Sequence, residues 1–310
     1  MPIDPRDVFP AHLGEIRDIA RIAGGLSGAD VYAVATATGK FVLRMQGDDR
    51  GAWSRATALQ RLASDAGIAP ELVAVDERSA TSISVLIEGM PFAAVAGHPE
   101  HRSAVFASLV EVLGRLHAIP LDPEAAPQED MLATARAIWT EQSRRPGFPA
   151  WAIALEARLD STCAIIARDP RRVFSHKDLN PMNMLWDGQR IWLIDWESAG
   201  LAHPYLDLAT LANLINLADG DALGLLAAQE RATIDPGQQD TFAAMRDLSR
   251  ITYGAVFMRL IPDLTAIAFA SRGETPTLGE CYARFAAGSL SPSAASGQAL
   301  LGAALFKQCA

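Results

Sequence analysis

Over the first ninety residues, short runs of β-forming side chains are separated by turn signals. Residues 31–36 and Lys40–Met45 are two such runs, and Thr38-Gly39 lies between them, which predicts a β-hairpin. Residues 54–66 predict a helix, with Leu59 and Leu62 three apart on one face and Gly67 as the stop. Two more strands are expected at 72–75 and 82–87, ending at Glu88-Gly89-Met90-Pro91. Helical periodicity then takes over at 103–117, 131–142, 151–167, 205–218 and 239–260, with a last helix after a small, polar loop at 292–297. This switch predicts a β-rich N-terminal domain over 1–88 and a mainly helical domain over 89–310, an α+β fold.

Composition narrows the classes of function. The 310 residues are 50% hydrophobic and 20% charged, a globular balance long enough to bury a core without crosslinks. Lys and Arg number 27 against 36 Asp and Glu, a net charge of −9. Such a chain is a poor general ligand for nucleic acid or anionic membranes. Cys163, Cys281 and Cys309 lie far apart with no zinc spacing, as expected of plain thiols in a reducing compartment. The start, MPIDPRDVFP, lacks a basic-then-apolar run, and the uncharged stretch between Phe285 and Phe306 is too rich in Ser, Gly and Ala for a membrane span. The expectation is a cytoplasmic monomer or homodimer with no nucleic-acid or membrane partner.

Candidate chemistry concentrates in residues 173–197, which contain HKDLNPMN and IDWE. Residues 184–186 and 191–194 read as short apolar strands joined by an Asp187-Gly188 turn. A loop therefore precedes a hairpin, and Asp195 stands where its second strand ends. Phosphoryl transfer needs a carboxylate to take the attacking hydroxyl's proton, and hard oxygen ligands to hold Mg²⁺ against the phosphates. Asp178, Asn183 and Asp195 supply that set in the Asp-x4-Asn, hairpin, Asp order of kinases.

On those residues the chain resembles the aminoglycoside phosphotransferase and choline/ethanolamine kinase group, small-molecule kinases with a protein-kinase-like two-lobe fold. Leu113-Gly-Arg-Leu-His117 with Pro120, Gly67-Ile-Ala-Pro70 and Pro204-Tyr-Leu-Asp207-Leu-Ala resemble further family segments, so the likeness spans residues 20 to 260. The resemblance implies ATP and Mg²⁺ as cofactors, with Asp178 as general base and Asn183 and Asp195 as metal ligands. It implies that His176 braces the loop, and that Asp207 either ties the loop down or caps a helix. Glu197 would face substrate or a second metal. Lys177 either neutralises charge on the transferring phosphate or points to solvent, and His203 is expected at the surface.

The resemblance places nucleotide on the N-terminal domain. Gly25, Ser27 and Gly28, in the run Gly24-Gly-Leu-Ser-Gly28, would approach the phosphates through their backbone, although the spacing is neither that of a P-loop nor G-x-G-x-x-G. Arg44 would contact phosphate where relatives carry Lys or Arg. Residues 85–88, with Ile87 and Glu88, would meet adenine through backbone groups. The helix after Arg44 lacks the Glu that kinases offer this cation: the only acids between Gln46 and Pro70 are Asp48, Asp49 and Asp65.

The acceptor must carry a hydroxyl. A quaternary ammonium would require an aromatic cage, for which Trp196, Trp139, Trp151, Tyr205, Tyr253 and Phe257 are candidates, Tyr253 and Phe257 being four apart on one helix face. Asp-Trp-Glu tilts the resemblance toward a choline- or ethanolamine-like acceptor over an aminoglycoside or another alcohol. A degraded kinase fold serving as nucleotide sensor or protein-binding module is the alternative. A protein kinase is disfavoured because no A-P-E follows Asp195.

Overall fold

The computed structural model describes residues 4–22, 29–46, 49–122 and 130–309, which fall into two units. One comprises Met1–Ala126 and Val173–Leu201, the other Pro127–Arg172 and Ala202–Ala310.

In the first unit, a short helix α1 (Pro5–Val8) precedes strands β1 (Ile16–Arg21), β2 (Asp30–Thr36) and β3 (Lys40–Met45). Helix α2 (Arg50–Asp65) then leads to β4 (Leu72–Asp76) and β5 (Thr81–Val85). The five strands form one antiparallel sheet in the order β1-β2-β3-β5-β4. Alternation along β3 buries Phe41 and Leu43 with Phe9, Val34 and Ile83. The same alternation assigns Arg44 to the opposite face, in register between Val31 and Ser82. Strand β1 escaped the sequence reading because its partly buried positions recur every third residue and a bulge interrupts its pairing. Helix α2 starts four residues earlier than expected because Asp49 caps the Ala52 amide at 2.9 Å. Its buried face carries Trp53, Thr57, Leu59 and Ala63, whereas Leu62, expected beside Leu59, is exposed.

A short strand β6 (Met90–Pro91) and helix α3 (Phe92–Val95) lead into α4 (Pro99–His117). Helix α4 buries Val105, Leu109, Val112, Leu113 and Leu116 and packs on β7 (Val173–Ser175) and β9 (Ile191–Leu193). Strand β8 (Met184–Trp186) pairs with β9 and with β6, giving a second antiparallel sheet. Ser108 of α4 accepts a hydrogen bond from the Ile191 amide at 2.9 Å, and the Ile68 carbonyl accepts one from Leu193 at 3.0 Å. The hairpin is thus held from both sides within this unit.

The second unit is helical: α5 (Met131–Ser143), α6 (Leu155–Ile166), α7 (Leu206–Leu214), α8 (Asp219–Glu230), α9 (Pro236–Arg259), α10 (Leu278–Ala286) and α11 (Ala295–Lys307). Helix α9 is its axis and packs against α5, α6, α7 and α11. It opens with a capping box between Asp235 and Gln238. Gly254 of α9 and Gly302 of α11 let the two backbones approach: a Cβ on Gly254 would lie 2.4 Å from the Phe306 ring. Phe306 in turn meets Trp139 and Phe148, with ring centroids 5.7 Å apart in both contacts.

Several helical expectations are corrected here. The helix expected at 151–167 begins as a 3-10 turn, Ala150–Ala154. The one expected at 205–218 ends at Leu214, and Asn216 follows with a left-handed φ of 54°. The supposed loop at 292–297 is helical from Ala295. Helices α8 and α10 were not anticipated. All three cysteines are free and buried, and burial pushes their thiols up. Among the described residues, no helix is long and apolar enough to cross a membrane.

His203, expected at the surface, is fully buried in the second unit. Its Nδ1 accepts from the Tyr205 amide at 3.1 Å, so the proton of the neutral ring sits on Nε2, 3.1 Å from Asp169. Arg171 pairs with Asp169 and stacks on Tyr205 at 4.9 Å. Burial lowers the His203 pKa, and Arg171 holds the Asp169 carboxyl well below the usual carboxylate range. An unfolded chain protonates this imidazole near about pH 6.5 while the fold resists. The stability from His203 is therefore complete above that pH and declines as pH falls through it, whereas the Asp169 contribution is lost only in stronger acid. The melting temperature should fall between pH 7 and pH 5, with a shallower slope in His203→Asn, as measured by calorimetric scans across pH.

Candidate active site

The candidate site is built in the first unit from the loop after β7 and the segment after β9. His176 is fully buried and its Nε2 lies 2.9 Å from the Ile194 carbonyl. The Ile194 amide donates to the Asn183 carbonyl at 3.0 Å. Residue 194 is thus gripped at both its carbonyl and its amide by the loop spanning 176 to 183, and Asp195 follows directly. Lys177 and Asp195 both take left-handed backbone, φ 64° and 66°, costing each about 1 kcal/mol. The expected hairpin turn is present: Gly188 has φ 98°, and Asp187 accepts from the Gln189 and Arg190 amides at 2.8 Å each.

Within the loop, Asn183 Nδ2 donates to Asp178 twice, to Oδ2 at 2.9 Å and to the carbonyl at 3.0 Å. Asn180 Nδ2 adds a contact to the same Oδ2 at 3.3 Å and its own Oδ1 caps the Met182 amide. Both partners of Asn183 Nδ2 are acceptors, so chemistry fixes which way the amide faces. Its Oδ1 is the end turned away from Asp178. That leaves a hard oxygen on Asn183 and a carboxylate on Asp195, whose side chain is 39% exposed. Such donors suit Mg²⁺, which takes few protein ligands and completes its shell with phosphate and water. Among the described residues, no cluster of three or more His, Cys, Asp or Glu side chains could cage a metal alone.

Arg44 reaches this segment from β3. Its Nη1 lies 3.5 Å from Asp195 and its Nη2 pairs with Glu197. Both acids of the segment after β9 therefore face Arg44. The signal for this was present in the chain as Asp-Trp-Glu, in which two acids flank one apolar residue. Trp196, between them, is 2% exposed. It contacts Phe174 at 5.8 Å and His176 at 4.8 Å, and its indole N–H donates to the Leu193 carbonyl at 3.2 Å. The tryptophan points inward, so Asp195 and Glu197 turn out.

Other sequence candidates are distributed differently. Gly25, Ser27 and Gly28 lie outside the described residues. Glu88 is exposed and pairs with Lys40, while the Ile87 carbonyl accepts from Gly89 at 3.1 Å and the Leu86 amide donates to Lys40 at 2.9 Å. Asp207 is fully buried in the first turn of α7 and does not occupy the N-cap position, which is Tyr205. Tyr253 and Phe257 are half-buried against Leu278, Cys281 and Leu301 of the second unit. The expectation that Trp196 offers a ring face to an acceptor is corrected by its packing, and Trp139 and Tyr205 are likewise core residues.

A model of the phosphotransferase enzyme family matches residues 18–248. The chain belongs to that family. No match is found among curated protein sequences. Among solved structures, a choline/ethanolamine kinase family protein from Mesorhizobium loti is 19% identical, with 96% of each chain covered and a TM-score of 0.67. Choline kinase LicA from Streptococcus pneumoniae is 16% identical, covering 80% of this chain and 86% of its own, with a TM-score of 0.60. A spectinomycin phosphotransferase solved with ADP and spectinomycin is 14% identical, covering 79% and 84%, with a TM-score of 0.52. The fold is the protein-kinase-like one shared by these structures, and family membership implies use of ATP. The family model stops before α10 and α11, the two helices that complete the core around α9.

Trp196→Ala should cost about 3–5 kcal/mol, the usual range for emptying a buried aromatic site. Urea unfolding measures this, and a loss below about 1 kcal/mol would return Trp196 to the list of exposed candidates.

Proposed function

We propose that this protein transfers the γ-phosphoryl group of ATP to the hydroxyl of a small metabolite, with a cationic alcohol of the choline or ethanolamine kind as the preferred acceptor. The observation that carries the reading is the Asn183 amide locked onto the Asp178 carboxylate, with the Ile194 amide bonded back to Asn183. That pattern fixes one carboxylate and turns two oxygen ligands outward, as phosphoryl transfer by positioning and charge neutralisation requires.

In this reading Asp178 takes the proton of the attacking hydroxyl. Asn183 and Asp195 would hold Mg²⁺, which neutralises charge on the phosphates when bound. Arg44 binds phosphate through its fork of donors. His176 acts by holding Ile194 rather than by touching substrate. Lys177 stands beside Asp178, where a cation would favour charge developing on the transferred group. The backbone at Ile87 and Glu88 would receive adenine. The choline and ethanolamine preference draws on the likeness to kinases carrying those names. Over a sensor without turnover, which the lack of a Glu on α2 favoured, the pairing of Arg44 with Asp195 and Glu197 supports the kinase reading.

The test is ATP-dependent product formation over a panel of choline, ethanolamine, thiamine, sugar alcohols and aminoglycosides. Turnover is expected with a cationic alcohol, and ATP binding without turnover of any acceptor would overturn the proposal. Asp178→Asn should lower kcat by about 10²–10⁴, the usual contribution of a positioned base, and leave ATP affinity within about threefold. Equal activity would remove Asp178 from that role. Asp195→Ala should abolish the Mg²⁺ dependence of ATP binding, as read by calorimetry with and without the metal.

A further inference from the structure

We propose that Glu197 is the positioning residue for Arg44, doing from the segment after β9 what kinases otherwise do with a carboxylate on the helix after β3. The inference rests on the ATP-dependent reading above and goes beyond it by removing Glu197 from the acceptor and second-metal roles.

Three observations converge. First, α2 has no acid to give: between Arg50 and Asp65 the only carboxylate is Asp65, the last residue, and Asp49 before it is spent on the Ala52 amide. The helix instead carries cations at Arg50, Arg55 and Arg61. Second, Arg44 is partly buried, with 21% of its side chain exposed, and pairs with Glu197 through one nitrogen while the other lies near Asp195. A guanidinium in such a place needs a carboxylate to offset its desolvation and to fix its fork. Third, Trp196 is buried between the two acids, so Asp195 and Glu197 are presented together by one anchored residue.

The division of labour follows from charge. Asp195 is the acid proposed for Mg²⁺, and a carboxylate engaged with a cation is a weaker partner for Arg44. Glu197 is the second partner, so Arg44 keeps its orientation toward phosphate when Asp195 is engaged. One carboxylate then serves the metal and the other serves the guanidinium. The left-handed backbone at Asp195 is a local cost consistent with this arrangement, because it lies at the residue that starts the pair.

The experiment is a double-mutant cycle on ATP affinity, measured by calorimetry with Arg44→Gln, Glu197→Gln and the combined variant. Each single change should weaken ATP binding about tenfold, and the combined variant should lose no more than either single one, because both remove the same interaction. The Mg²⁺ concentration giving half-maximal binding should stay within about twofold in Glu197→Gln. A readout without nucleotide accompanies this: the Arg44 Nε–Hε resonance should shift in Glu197→Gln and stay in place in Glu88→Gln. Losses that add, or a raised Mg²⁺ requirement in Glu197→Gln, would make Glu197 a ligand in its own right and overturn the inference while leaving the proposed activity standing. A wild-type protein that binds no ATP would overturn both.

Discussion

The constraint on which the site depends is the stitching of residue 194 to the loop before the hairpin. His176 lies against its carbonyl, and its amide bonds to Asn183, which in turn clamps Asp178. None of these contacts is strong singly, each being worth about 1 kcal/mol net. Their value is geometric, because they share atoms. Moving Asp195 means breaking the Ile194 bond to Asn183, and moving Asn183 means releasing the Asp178 carboxylate. The acid, the amide and the second acid therefore behave as one rigid group carried on a hairpin that α4 and Ile68 hold in place.

Much of this was readable from the chain. The strands at 31–36 and Lys40–Met45 have period-two alternation with a turn dipeptide between them, and both appear in the fold within one residue. Asp187-Gly188 fixed the hairpin because few residues tolerate the backbone that turn requires. The pairing of Asn183 with Asp178 spans only five residues, so their spacing in the chain already places them on one loop. What stayed hidden is instructive for the same reason. Strand β1 has partly buried positions only at every third residue, and α8 starts with acids and two glycines, so neither carries a clean period. His203 read as a surface residue because one sequence cannot show that Asp169, thirty-four positions earlier, is its partner.

The acid for Arg44 is the clearest case of information present but misdirected. Kinase resemblance led to the helix after β3 and found no Glu there. Glu197, which pairs with Arg44, lies 153 positions away, beside Asp195. Alternation around a buried tryptophan was its only trace. The same tryptophan entered the sequence reading as an acceptor contact, because a ring beside two carboxylates looks like part of a cage. Its burial instead makes it the wedge that aims them.

The choice of arginine at position 44 has a chemical corollary. A strand lysine at this place is a latent nucleophile, since its amine loses a proton readily when desolvated, whereas a guanidinium stays charged throughout the accessible pH range. Amine-directed acylating analogues of ATP would therefore find no amine to label at position 44, and on β3 could reach only Lys40, at the start of the strand.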